Sequence, residues 1–124
     1  MLVPEQKINP QIFSASQPVK AMREGVSAGL IELARQDERV VVLTADLRES
    51  TGLSEFARQF PGRFFDLGVA EQNLVGVAAG LARAGKIPFI TSYAIFSPGR
   101  NWEQIRTMLC YNDLPVKIIG SHAG

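Results

Sequence analysis

Between Gln72 and Ala82 the chain carries no ionisable side chain. Glu71 stands before this run and Arg83 after it, with Leu74-Val75-Gly76-Val77-Ala78-Ala79-Gly80-Leu81 between them. Read as a helix, the segment lacks the polar stripe of an exposed one, and a helix apolar or small nearly all round is expected to be buried. Gly76 and Gly80, at i and i+4, each cost roughly 1 kcal/mol against Ala in a helix interior, and they leave a flat strip where another backbone can come close. Glu71 then sits at the mouth of a buried helix. Desolvation favours the neutral form of a carboxyl group and a helix N-terminus favours its charged form, so a group held between the two is a candidate proton handler. A first-turn glutamate also serves as a plain dipole cap, and glycines as plain packing. The pattern alone leaves both readings open.

A chain of 124 residues with 46% apolar and 20% charged side chains has enough core for one globular domain but is small for a complete enzyme of an elaborate kind. Its 13 Lys and Arg balance 12 Asp and Glu without forming a basic cluster, so neither a nucleic-acid surface nor an anionic membrane surface is indicated. Cys110 is the sole cysteine. An internal disulfide or a cysteine-based zinc site is thereby excluded, and a reducing cytoplasm is the expected location. Met1 to Lys7 has no apolar signal core, and the uncharged run is too short to span a bilayer. A soluble chain with small molecules or proteins as partners is expected.

Residues 1–17, with Pro4 and Pro10 and little periodicity, read as an extended arm, and 18–124 as the domain. Met22, Val26, Leu30 and Leu33 recur at helical spacing up to the polar Asp37-Glu38-Arg39. Val40-Val41-Val42-Leu43-Thr44 is a β-branched run of the kind covered on both faces in a parallel sheet. A polar loop from Asp46 to Gly52 leads to a short helix marked by Leu53, Phe56 and Phe60 and stopped by Pro61-Gly62. Arg63 to Leu67 is a second strand running into the uncharged helix. Pro88 to Tyr93 is a third, followed by a helix on which Trp102, Ile105 and Leu109 share a face. Leu114-Pro115 breaks that helix, and Val116 to Gly120 is a fourth strand. The alternation predicts an α/β fold, a parallel sheet with right-handed crossovers and helices on both faces, broken off after the fourth strand.

In such sheets ligands gather outside the carboxyl ends of the strands. Those ends are followed here by Asp46, Arg48 and Ser50, by Glu71, by Tyr93, Phe96 and Arg100, and by Ser121 and His122. Neither common phosphate-binding glycine loop is present, nor a nucleophile elbow. The single histidine, single cysteine and scattered acids make a tetrahedral metal site an unfavoured reading. His122 reads equally as a hydrogen-bonded structural residue, and Tyr93 and Phe96 as packing. A carboxyl group beside aromatic rings on a sheet edge suits a flat nitrogen heterocycle, stacked on a ring and hydrogen-bonded through one nitrogen.

Several ordered blocks carry a family resemblance: Asp66-Leu67-Gly68-Val69-Ala70-Glu71-Gln72-Asn73, Gly76-Val77-Ala78-Ala79-Gly80-Leu81-Ala82, Ser92-Tyr93-Ala94-Ile95-Phe96 and Gly120-Ser121-His122-Ala123-Gly124. From about Met22 onward the chain resembles the pyrimidine-binding domain of transketolase, and its early Met1 resembles the C-terminal subunit of transketolases encoded as two chains. The resemblance implies thiamine diphosphate chemistry and transfer of a two-carbon ketol unit between sugar phosphates. The glutamate matching Glu71 hydrogen-bonds N1′ of the aminopyrimidine and promotes its imino tautomer. Phe96, with Tyr93, matches the aromatic pocket of the pyrimidine, and Asp46 an acidic residue near the cofactor. Arg23 and Ser50 match contacts to the substrate phosphate, and His122 a substrate-site histidine.

The family's Gly-Asp-Gly segment and following asparagine, which hold Mg2+ and the diphosphate, are absent. The resemblance therefore implies that an N-terminal transketolase subunit supplies them, with self-association across the Gly76/Gly80 helix. Rival readings are a 1-deoxyxylulose-5-phosphate synthase, a 2-oxoacid dehydrogenase beta-type subunit, and a non-catalytic interaction module that keeps the glycine-faced helix.

Overall fold

The computed structural model describes residues 11–16 and 20–123. Most of the arm expected over 1–17 lies outside these, as do residues 18, 19 and 124. Residues 11–16 form turns, one closed by the Ser14 N–H donating to the Gln11 carbonyl at 2.8 Å.

Strand β1 (Val40–Thr44) is buried along its whole length. It pairs in parallel with β2 (Phe64–Asp66) on one side and β3 (Ile87–Tyr93) on the other, and β3 pairs in parallel with β4 (Lys117–Ser121). The sheet order is β2-β1-β3-β4. Successive strand side chains point to opposite faces, so β1 feeds two cores. Val41 and Leu43 pack with Leu74, Val75, Ala78, Ile90 and Leu109. Val40 and Val42 pack with Leu30, Ile31, Ala34, Leu53 and Phe56. The first core belongs to helix α3 (Glu71–Arg83), the second to α1 (Met22–Gln36) and α2 (Ser54–Gln59). Helices therefore cover both faces, as the strand–helix alternation requires.

Three helical faces differ from expectation. On α1 the buried positions are Leu30, Ile31 and Ala34, while Met22 is 88% and Leu33 43% exposed. The helix touches the sheet along a narrow strip, and Ile31 and the small Ala34 lie on it where Leu33 does not.

Helix α3 buries Glu71, Leu74, Val75, Ala78 and Ala79, the i, i+3, i+4, i+7, i+8 face, and leaves Gln72, Asn73, Gly80 and Arg83 exposed. Within this chain it is covered on one side, not all round. A Cβ added at Gly76 would lie 3.5 Å from Met108 Sδ, so that glycine is packed internally, whereas Gly80 has nothing within 4 Å.

The third difference is in α4 (Trp102–Gln104), which passes directly into a π-wound segment, Ile105–Cys110. The i→i+5 bonds from Tyr111 N–H to Arg106 and from Leu114 N–H to Leu109 mark the wider winding. It breaks the 3.6-residue stripe. Leu109 stays buried and Ile105 half-buried, while Trp102 is 70% exposed and the neighbouring Asn101 takes the inward position.

These faces make a stability prediction. Leu30→Ala should destabilise the chain by about 2–5 kcal/mol, and Met22→Ala should stay within about 0.5 kcal/mol, both read from urea unfolding. An equal loss at Met22 would put the sequence-derived stripe, not the observed one, against the sheet.

Candidate active site

Because all four strands run the same way, the segments that follow them meet at one edge. Glu71 opens α3 immediately after the β2 turn, at a place where Ala70 provides no side-chain cap. The turn uses Gly68 at φ 67°, a left-handed conformation that glycine adopts without strain. Glu71 is 5% exposed, and an uncompensated carboxylate in such a place is costly. Its partner comes from the loop after β3: Arg100 Nη1 lies 3.5 Å from Glu71 Oε2, and the same guanidinium stacks over the Phe96 ring, 4.1 Å from its centroid. Tyr93 stacks beside Phe96 at 5.8 Å, and His122 packs on Tyr93 at 4.1 Å. The His122 ring Nδ1 and the Ser121 hydroxyl share a hydrogen bond of 2.9 Å. Glu71, Arg100, Phe96, Tyr93 and His122 thus form one continuous chain of contacts across the ends of β2, β3 and β4.

The β3–α4 loop is tied to the first turn of α3 by side-chain amides. Asn101, fully buried, donates from Nδ2 to the Glu71 carbonyl and to Ser97 Oγ, both at 3.1 Å. Gln72 Nε2 donates to the Arg100 carbonyl at 3.3 Å. Arg100 N–H donates to the Phe96 carbonyl at 2.8 Å, closing the loop on itself. The aromatic shelf and the acid are therefore held as one unit.

The remaining predicted residues divide between two cavities. Asp46 and Ser50 line one of about 420 Å3 together with Arg48 and Asp66. Arg23 and His122 line another of about 320 Å3 together with Thr51, Thr91 and Ser121. Arg23 and Ser50, expected to meet one phosphate, thus face different cavities, and the Ser50 hydroxyl donates to the Leu47 carbonyl at 3.2 Å.

Asp46 and His122 both have positive φ, 59° and 55°. That backbone region is uncommon outside glycine and recurs at functional loops. Asp46 is held there by Asp66, whose Oδ1 accepts both the Asp46 N–H at 2.9 Å and the Gly68 N–H at 3.2 Å. Thr91 Oγ1, in the second cavity, is buried without a hydrogen-bond partner.

From the sequence, Asp66 stands out only as part of a block that carries the resemblance, Arg100 only as a residue following the third strand, and Asn101 and Thr91 not at all. Asp66 at a strand end before Gly68 was a readable signal. Nothing in the sequence marks Asn101 as buried.

Fold and edge define a class: a parallel α/β domain whose acid, aromatic and basic groups collect where such sheets bind ligands. Residues 19–124 match the family model for the transketolase pyrimidine-binding domain, and the chain belongs to that family. It is 53% identical over 105 residues to a transketolase C-terminal section of Methanocaldococcus jannaschii, an alignment covering 85% of this chain and 33% of that protein. It is 46% identical to the 6-deoxy-6-sulfo-D-fructose transketolase subunit SqwH of a Clostridium species (strain MSTE9), covering 77% of this chain and 30% of that one. Among solved structures it is similar to a split-gene transketolase described as an inactive β4 tetramer, with TM-score 0.73 and 52% identity over 81% of this chain and 33% of that one. The chain thus spans about a third of the length of these relatives.

The amide clamp yields a prediction. Asn101→Ala removes the side-chain amide that donates to the Glu71 carbonyl and to Ser97 Oγ, and should cost about 1–3 kcal/mol in denaturant unfolding. A neutral substitution would show that the loop and α3 are not held through this side chain.

Proposed function

We propose that this chain is the pyrimidine-binding part of a transketolase that works with a separate N-terminal subunit, transferring a two-carbon ketol unit between sugar phosphates. One observation carries the reading. Glu71 is a buried carboxylate whose charged neighbour is itself a flat nitrogen group lying on an aromatic ring. A planar nitrogen heterocycle uses the same two features, a hydrogen bond to the acid and a face on the ring. The donor set therefore fits the aminopyrimidine of thiamine diphosphate. When bound, that cofactor supplies the nucleophilic carbon that carries the ketol unit.

Glu71 would hydrogen-bond ring nitrogen N1′ and favour the imino tautomer. Phe96, and Tyr93 beside it, would form the shelf under the ring, with Asp46 at the cofactor's flank. His122 would reach the substrate at the end of β4 and Arg23, lining the same cavity, would meet its phosphate; Ser50 lines the Asp46 cavity and is given no phosphate contact. The rest of the site, Mg2+ and the diphosphate contacts, is assigned to the partner subunit. No cluster of three or more His, Cys, Asp or Glu able to hold a metal lies among the described residues. No described helix is long and apolar enough to cross a membrane, and a cytoplasmic location is part of the proposal.

Dependence on a second kind of chain is supported by the solved relative, a split-gene transketolase described as an inactive β4 tetramer. The tetrameric assembly described for that relative supports self-association, which we assign to the Gly80 side of α3.

Glu71→Gln in the reconstituted two-chain enzyme should lower turnover of xylulose 5-phosphate with ribose 5-phosphate by about 10²-fold or more. An unchanged rate would refute the role given to this acid, and turnover of pyruvate instead would move the chain to the synthase or 2-oxoacid dehydrogenase reading. Gly80→Leu adds a side chain where nothing lies within 4 Å, so the fold should survive while assembly, followed by light scattering, is lost. An intact assembly would place the interface elsewhere.

A further inference from the structure

We propose that Arg100 is a built-in occupant of the heterocycle slot, filling it in the absence of ligand and swinging out when a ring enters. The proposal rests on reading Glu71 and Phe96 as a heterocycle site. A guanidinium is planar, delocalised and rich in N–H donors, and it stacks on aromatic faces while pairing with carboxylates. Arg100 does both at once: its guanidinium lies 4.1 Å over Phe96 and 3.5 Å from Glu71 Oε2. These are the two groups a ring would use, so in this arrangement cation and ring exclude one another.

The surroundings are built for a swing rather than for a permanent bond. At 3.5 Å the ion pair is longer than the 2.7–2.9 Å typical of a charge-assisted hydrogen bond. The Arg100 side chain is 52% exposed, against 5% for Glu71. Its backbone, by contrast, is fixed at both ends, by its N–H to Phe96 and by Gln72 on its carbonyl, with Asn101 locked next to it. The head group can therefore leave for solvent while the loop and the shelf stay in place. In this arrangement Arg100 is also the one cation that pairs with the buried acid among the described residues.

An intramolecular competitor lowers the apparent affinity of the true ligand by the fraction of time the slot is free. For a half-exposed ion pair reinforced by a cation–π contact that factor is roughly 3- to 10-fold. The test uses the chain reconstituted with its N-terminal subunit and titrated with thiamine diphosphate and Mg2+ in a calorimeter.

Arg100→Met keeps an unbranched side chain and removes the planar fork that lies on Phe96 and against Glu71, and should bind the cofactor roughly 3- to 10-fold more tightly. Arg100→Gln should shift in the same direction, which keeps the comparison open if one variant folds poorly. Guanidinium chloride at non-denaturing concentration should compete with the cofactor more effectively in Arg100→Met than in the wild type, because the vacated slot accepts the free cation. Equal or weaker cofactor binding by both variants would overturn the proposal and make Arg100 a support of the bound ring. Wild-type and variant complexes that fold and assemble but bind no cofactor would instead sink the heterocycle reading, and this proposal with it.

Discussion

Burial of β1 on both faces is the constraint from which the architecture follows. Val40 to Thr44 has no solvent side, so its backbone must pair on both edges and its side chains must be covered by two separate layers. Parallel pairing with β2 and β3 meets the first need; α3 on one face and α1 with α2 on the other meet the second. Parallel strands require crossovers, and crossovers send every strand's carboxyl end to the same edge. The location of the candidate site is thus a by-product of a five-residue strand buried along its whole length.

At that edge anchored residues stand beside a half-exposed one. Asn101 and Gln72 join the aromatic loop to the start of α3 by side-chain amides that donate to backbone carbonyls, so the loop that carries Phe96 and the turn that carries Glu71 are held together. Asp66 does the same for the β1 and β2 loops by accepting from the N–H groups of Asp46 and Gly68. Catalytic groups gain from being held this way, because a displaced acid or shelf loses orientation that binding energy must then restore. Arg100 departs from the pattern: it is anchored at the backbone and half-exposed at the guanidinium.

The strand runs were legible because β-branched sequences bounded by Pro, Gly and Asp have few alternatives, and β1 matched its expected limits at both ends. Glu71 was legible because it is the lone charge before an uncharged helix. Helix faces were less so. Leu33 and Met22 fit a helical period as well as Ile31 and Ala34 do, and only the approach of the sheet decides which pair is covered. The π winding after Gln104 turned Trp102 outward because a fixed 3.6-residue stripe does not survive a change of hydrogen-bond register. Asn101 could not be found from sequence at all, since its importance lies in the carbonyl it reaches, 30 residues back along the chain. The contacts of Arg100 were hidden for the same reason: a cation placed four residues after Phe96 reads as a solvated loop residue until the loop closes it onto the ring.

Helix α3 has more apolar surface than this chain uses. Only one face of α3 is covered, while Val77, Leu81 and Ala82 are half-buried and Gly80 is bare. Val69, Ile95 and Trp102 are each more than two-thirds exposed, and in sequence they stand just before Glu71, just before Phe96 and just after Asn101. Single exposed hydrophobic residues are ordinary. These three share the segments that build the acid and its shelf, which is the rim a covering subunit would have to meet. A heterocycle lying on Phe96 would have one ring face against this chain, and shielding the other from water calls for apolar surface supplied by a second chain. On the proposed reading, the half-covered helix and the apolar rim are two parts of one requirement: a site with its acid and shelf in this chain and its dryness supplied by a second.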